Sequence, residues 1–157
     1  MELNSPTFFD SGIVNVTWGK NVKVVLPVNM YQCSIGDNCF IGPFVEIQKG
    51  VIIGSNTKIQ SHTFICELVT IGSDCFIGHG VMFINDKFQN GKPAGGNKDE
   101  WEETVIGNNV SIGSNATILP VKICDNVVIG AGAVVTRDIS VPGVYVGNPA
   151  VTVKDIQ

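Results

Sequence analysis

Counting in steps of six from Ile35 meets Ile41, Ile47, Ile53, Ile59, Ile65, Ile71 and Ile77, and then Phe83, in an unbroken register. Four residues after each isoleucine stands a small or β-branched side chain: Cys39, Val45, Val51, Thr57, Thr63, Val69, Cys75 and Val81. Gly36, Gly42, Gly54, Gly72 and Gly78 directly follow ladder residues, where a bend needs permissive backbone angles. A period of six fits neither the α-helix nor a hairpin meander, whose turn signals recur every ~8–12 residues. It fits short strands separated by bends. Three such strands close a triangular coil of 18 residues, and stacked coils pair backbone to backbone about 4.8 Å apart. The isoleucines then point inward as ladders.

The register resumes after a gap as Ile106, Ile112 and Ile118, then Ile123, Ile129 and Val135. The interval from Ile118 to Ile123 is one residue short and contains Pro120, which reads as a tightened corner. Val24 and Met30 extend the ladder upstream, again one residue short before Ile35. The expected organisation is a single all-β domain over 1–157: a cap over 1–23, coils over 24–83 and 105–141, an extruded loop over 84–104, and a closing tail over 142–157.

The loop, Ile84 to Thr104, is polar and Gly-rich and carries Lys87, Lys92, Lys98, Asp99 and Glu100, so it cannot pack as a coil. A segment this long inside a compact domain is usually functional or disordered, and the plain alternative is a tolerated surface insertion. Its aromatics, Phe88 and Trp101, suggest that it docks on something and closes a site between subunits.

A net charge of −4 and a pI near 5.0 argue against nucleic acid as a partner, because phosphate binding needs a basic face. No stretch approaches the roughly 20 apolar residues of a membrane span. Met1 to Pro6 shows no basic region followed by an apolar run, so a cytoplasmic location is expected. The cysteines, Cys33, Cys39, Cys66, Cys75 and Cys124, form no Cys-x-x-Cys pair and occupy positions that want small side chains. They are expected to be reduced, packed and inert.

The isoleucine-glycine hexads, the loop that interrupts them, and the ending Val141-Pro142-Gly143-Val144-Tyr145-Val146-Gly147-Asn148-Pro149-Ala150 resemble the hexapeptide-repeat acyltransferases. Ile77 through Asp86 (Ile-Gly-His-Gly-Val-Met-Phe-Ile-Asn-Asp) is similar to the sugar-nucleotide N-acetyltransferases that acetylate a 3-amino group of a deoxysugar. The resemblance implies a left-handed parallel β-helix, a homotrimer, acetyl-CoA as donor, a nucleotide-linked amino sugar as acceptor, and active sites between subunits. The left hand rests on resemblance alone, since parallel crossovers are normally right-handed.

Stacking by 18 places Lys49, Glu67 and Asn85 in one outward column that ends where the loop leaves. A carboxylate beside a carboxamide can accept hydrogen bonds from an amine and orient its lone pair. In the amino-sugar enzymes resembled, an Asn at the matching place touches the acceptor amine, which carries that role to Asn85 and, less directly, a partner role to Glu67. The competing reading is a Lys49–Glu67 surface ion pair with Asn85 capping the loop base. Asp86, His62 and Lys49 complete the expected acceptor contacts.

His79 falls in a second column with Pro43, Ser61 and, past the loop, Ser114 and Ala131. Many hexapeptide acyltransferases use a histidine as general base, which makes His79 the candidate. His62 lies one coil below Gly80 as a neighbour or a plain surface residue. The small residues Ser114, Ala131 and Gly132 offer a track for a pantetheine arm, with Arg137 and Lys154 as cations for the coenzyme phosphates. The family commonly has a basic residue after the closing Asn-Pro-Ala, where this chain has Val151. No metal is expected: the related carbonic anhydrase pattern needs three imidazoles, and this chain has His62 and His79 only. The alternative activities are O-acetylation of a sugar or serine, and a non-catalytic trimeric scaffold.

Overall fold

The computed structural model of this protein describes Thr7 and residues 11–155. Its strands are mostly two residues long, because each hexad spends its remaining residues on a bend. They stack into three parallel sheets that form the faces of a triangular prism. The first face carries Ile13–Val14, Asn29–Tyr31, Glu46–Ile47, Phe64–Ile65, Met82–Phe83, Thr117–Ile118 and Val134–Val135. The second carries Thr17–Trp18, Ser34–Ile35, Ile52–Ile53, Val69–Ile71, Thr104–Ile106 and Lys122–Ile123. The third runs from Lys23–Val24 through Phe40–Ile41, Lys58–Ile59, Phe76–Ile77, Ser111–Ile112 and Val127–Ile129 to Gly143–Val146. Val151–Asp155 then turns back antiparallel along Gly143–Val146 and covers that last edge. This is the parallel β-solenoid that the hexads require, and it is consistent with the left-handed turn implied by the resemblance.

From Ser34–Ile35 onward the second residue of each two-residue rung is buried, as are the first and third residues of Val69–Ile71, Thr104–Ile106 and Val127–Ile129. Ile41, Ile47, Ile59, Ile65, Ile77, Ile112 and Ile118 are fully buried, and Phe83 replaces isoleucine in the same ladder. Full burial of such a side chain is worth about 1.5–3 kcal/mol. The Thr and Cys positions do a second job. Thr57 Oγ1 donates to the Gly72 carbonyl at 2.9 Å, and Cys39 Sγ makes the corresponding contact to the Gly54 carbonyl at 3.2 Å. Both bridge one coil to the next where the backbone bends. Coils pack so closely there that a Cβ on Gly54 would lie 2.5 Å from the Gly72 carbonyl carbon.

The coil length is set by the corners. Partners one coil apart are separated by 18 residues at Asn38–Asn56 but by 17 at Asn21–Asn38 and Asn109–Asn126, which matches the short intervals before Ile35 and after Ile118. Across the loop the separation is 35, as at Ser73–Asn108, so the loop leaves and returns without altering the stack. Strand pairing begins earlier than the cap boundary at 23. Ile13–Val14 already pairs with Met30 and Tyr31, and Thr17–Trp18 with Ser34–Ile35. Val16, Val22 and Val24 pack this coil onto the core, and Trp18 in place of isoleucine obscures its register. The rest of the cap, residues 1–6 and 8–10, and the tail's residues 156–157 lie outside the described residues.

All five cysteines are unpaired thiols, four of them buried. Burial pushes the Cys33 thiol up to about 11 and the Cys66 thiol up to about 12. The native chain at pH 8 is therefore expected to react with iodoacetamide slowly at these positions and rapidly only after denaturation. Because the folded pKa values are raised, the stability they contribute is present below pH 9 and falls as pH climbs toward 11–12. Urea midpoints measured between pH 8 and 11 check this.

Candidate active site

Two corners of the prism carry the polar residues singled out in the sequence, and the first face separates them. At the corner between the third and first faces, each coil bends through two residues: Ser61–His62, His79–Gly80, Ser114–Asn115 and Ala131–Gly132. The stacking is as the spacing requires. Asn115 N donates to the His79 carbonyl at 2.8 Å, and Gly132 N donates to the Ser114 carbonyl at 2.9 Å. His79 is exposed, and its Nδ1 lies 2.8 Å from Ser61 Oγ in the coil below. The serine hydroxyl can accept from Nδ1–H or donate to bare Nδ1. Only the first arrangement leaves the Nε2 lone pair open to take a proton. His62 does something different. It sits at φ 63° and stacks on Phe44, ring centroids 4.9 Å apart, as part of the corner's surface.

At the corner between the first and second faces, the loop folds back on the column of Glu67 and Asn85. Lys98 Nζ donates to both Glu67 carboxylate oxygens, at 2.6 and 2.8 Å, and lies 5.2 Å from the centre of the Trp101 ring. Lys98, not Lys49, is thus the partner of Glu67, and Lys49 stays exposed. Stacking fixes which Cα atoms align, while the loop can deliver a cation directly onto the carboxylate. Asn85 Nδ2 donates to the Glu67 backbone carbonyl at 3.3 Å, so the carboxamide braces the loop base and does not touch the carboxylate. Glu102 N closes the base on the Asn85 carbonyl at 2.9 Å, and Glu102 in turn pairs with Lys87 at 2.6 Å. Asp86 is engaged within the loop, accepting from Phe88 N and Ala94 N, both at 2.8 Å. The Tyr31 phenol is pushed up by burial and then by the charges of Glu46 and Glu67. With the Lys98 side chain 55% exposed, its ion pair is worth at most about 1 kcal/mol. A ligand can displace so weak a clasp.

The proposed coenzyme residues divide. Ser114, Ala131 and Gly132 form a continuous small-residue edge above His79. Arg137 follows Val134–Val135 and so lies at the opposite margin of the first face, while Lys154 stands beside Val144 beyond the last coil of the third. Among the described residues, no group of three or more His, Cys, Asp or Glu could hold a metal ion. No helix among them is long and apolar enough to cross a membrane.

Residues 32–67 match the bacterial transferase hexapeptide family (six repeats), and residues 103–137 match the hexapeptide repeat of succinyl-transferase. The chain belongs to the hexapeptide-repeat transferases. It is 39% identical over 119 residues to the bifunctional protein GlmU of Streptococcus uberis, covering 75% of this chain and 23% of that one. It spans about a quarter of the length of the curated relatives it matches. A galactoside acetyltransferase solved in complex with coenzyme A superposes with a TM-score of 0.62 at 30% identity, covering 92% of this chain and 66% of that one. A maltose O-acetyltransferase from Clostridium difficile 630 gives 0.63 at 27% identity, over 90% and 70% of the two chains.

Proposed function

We propose that this hexapeptide-repeat protein transfers the acetyl group of acetyl-CoA to the amino group of a nucleotide-linked amino sugar, such as a dTDP-3-amino-3,6-dideoxyhexose, in surface polysaccharide synthesis. The observation that carries the transfer chemistry is the exposed His79 imidazole, held by Ser61 and continued by the small-residue edge of Ser114, Ala131 and Gly132. That edge carries no bulky side chain, so a pantetheine arm can lie along it with its thioester end at His79. The acceptor nitrogen attacks the thioester carbon, the C–S bond breaks, and the proton lost by nitrogen passes to His79 Nε2 and on to the departing thiolate. The products are an N-acetyl sugar and free coenzyme A.

Within one chain, Glu67 and Asn85 lie across the first face from His79, so the site is composite. In a cytoplasmic homotrimer the loop corner of one subunit would meet the His79 corner of its neighbour, with Asp86, His62 and Lys49 at its margins. Glu67 orients the amine once the acceptor has displaced Lys98. Arg137 and Lys154 then contact the coenzyme phosphates from two subunits. A screen of amino-sugar nucleotides, following free coenzyme A, tests the reading. Thiol release with none of them would sink it.

The likeness to a maltose O-acetyltransferase and a galactoside acetyltransferase favours a second reading, in which the acceptor is a sugar hydroxyl. The same screen, run with the corresponding hydroxy sugars, separates the two.

A further inference from the structure

The third face carries Lys23, Phe40, Lys58 and Phe76 one above another, paired in register. Each is the outward residue of its rung. Lys23, Lys58 and Phe76 are exposed and Phe40 is half-buried. A groove of about 530 Å³ opens here, lined by Asn21, Lys23, Asn38, Phe40, Lys58 and Gln60. That volume lies within the ~300–1,000 Å³ typical of small-molecule sites. Among the described residues the ion pairs are made by Lys87, Lys98 and Lys122, so the groove's two ammonium groups have no carboxylate partner. In a chain of net charge −4, a concave surface with two uncompensated cations flanking an aromatic ring selects for an anion that also carries a flat ring.

The groove's position narrows the choice further. Gln60 on its rim directly precedes Ser61, whose hydroxyl touches His79 at 2.8 Å. The small-residue edge proposed for the coenzyme runs the other way, toward the C-terminal coils. Lys23 and Lys58 stand two rungs apart, about 10 Å at the backbone, a gap that their flexible stems can close on a diphosphate.

We propose that this groove binds the nucleoside diphosphate of the acceptor, with Lys23 and Lys58 on the phosphates and Phe40 against the base. The linked sugar then reaches His79 from the N-terminal side. Stacking on a phenyl ring tolerates any base, so the groove recognises the nucleotide as a class. The direction of the sugar rests on the acyl-transfer reading above, whereas the binding itself does not.

Calorimetric titration of the full chain with dTDP, in the absence of acetyl-CoA, tests the proposal. Saturable binding at one site per chain is expected, with thymidine alone and pyrophosphate alone each binding far more weakly. Lys23→Glu and Lys58→Glu should each weaken dTDP binding at least about tenfold, as expected for loss of a charge-assisted contact. Phe40→Ala should weaken it about threefold or more through lost stacking. Lys92→Glu in the loop, which makes the same change in net charge, should leave binding unchanged. Absence of saturable binding, or an equal loss from Lys92→Glu and Lys58→Glu, would overturn the proposal. So would competition by coenzyme A with the same Lys58 dependence, which would assign the groove to the donor. If dTDP binds with the expected Lys58 dependence yet no acceptor releases free thiol, the groove stands and the acyl-transfer reading falls.

Discussion

His79→Ala should lower the turnover of acetyl transfer at pH 7 by about a hundredfold with an amine acceptor and by up to about ten-thousandfold with an alcohol, the range that a positioned general base supplies. The difference follows from the acceptors. An amine becomes a competent nucleophile once it loses a proton to solvent, so raising the pH should restore much of the variant's rate. An alcohol stays protonated across that range and must lose its proton as it attacks, so its rate should not recover. The variant should fold normally, because His79 is exposed and its backbone carbonyl keeps the bond from Asn115 N. His62→Ala is the control. That ring stacks on Phe44 and takes no part in the Ser61–His79 hydrogen bond, so its loss should raise the acceptor's KM and leave turnover nearly unchanged. Undiminished turnover of the His79 variant at pH 7 would remove the imidazole from the chemistry.

The parts of this protein that repeat were legible in its sequence. Because buried ladder residues must recur every six positions, the coil, its three faces and the column of Ser61, His79, Ser114 and Ala131 follow from counting, including the one-residue deficits at two corners. The loop escaped the same logic. Lys98 reaches Glu67 from a segment with no period, so stacking put Lys49 there instead. Two other features repeat but went unread because they face solvent, where burial imposes no pattern. One is the carboxamide column at the corner between the second and third faces. There Asn21 Nδ2 donates to Asn38, Asn38 to Asn56, and Asn56 to Asp74, all four residues holding φ between 56° and 60°. Asn and Asp tolerate that left-handed bend better than other side chains with a Cβ. Their spacing of 17 and 18 residues was the available signal. The other is the column of Lys23, Phe40, Lys58 and Phe76, visible only once the strands are stacked.

Phe83→Ala should destabilise the fold by about 3–5 kcal/mol, the cost of removing a large aromatic side chain from a packed core. Phe83 is fully buried in a ladder otherwise built of aliphatic side chains, in a rung that pairs with Phe64–Ile65 below and Thr117–Ile118 above. Its extra volume sits where the loop departs, and it packs the coil there alongside the backbone bonds of Met82 N to the Ala116 carbonyl at 3.0 Å and Ile84 N to the Ile118 carbonyl at 2.9 Å. Neighbouring coils contact only one another in a solenoid, so a cavity in this rung weakens the junction between the two halves instead of the whole stack evenly. Urea unfolding of the variant should show a lower midpoint and a broadened transition. Hydrogen exchange should accelerate first in Met82–Phe83 and Thr117–Ile118. Phe83→Leu leaves most of the volume filled and should cost under about 1.5 kcal/mol. If the alanine and leucine variants unfold alike, the ring does not set the packing of this rung. If the alanine variant keeps its fold but loses acetyl transfer, that links the position of Asn85, two residues along, to the site.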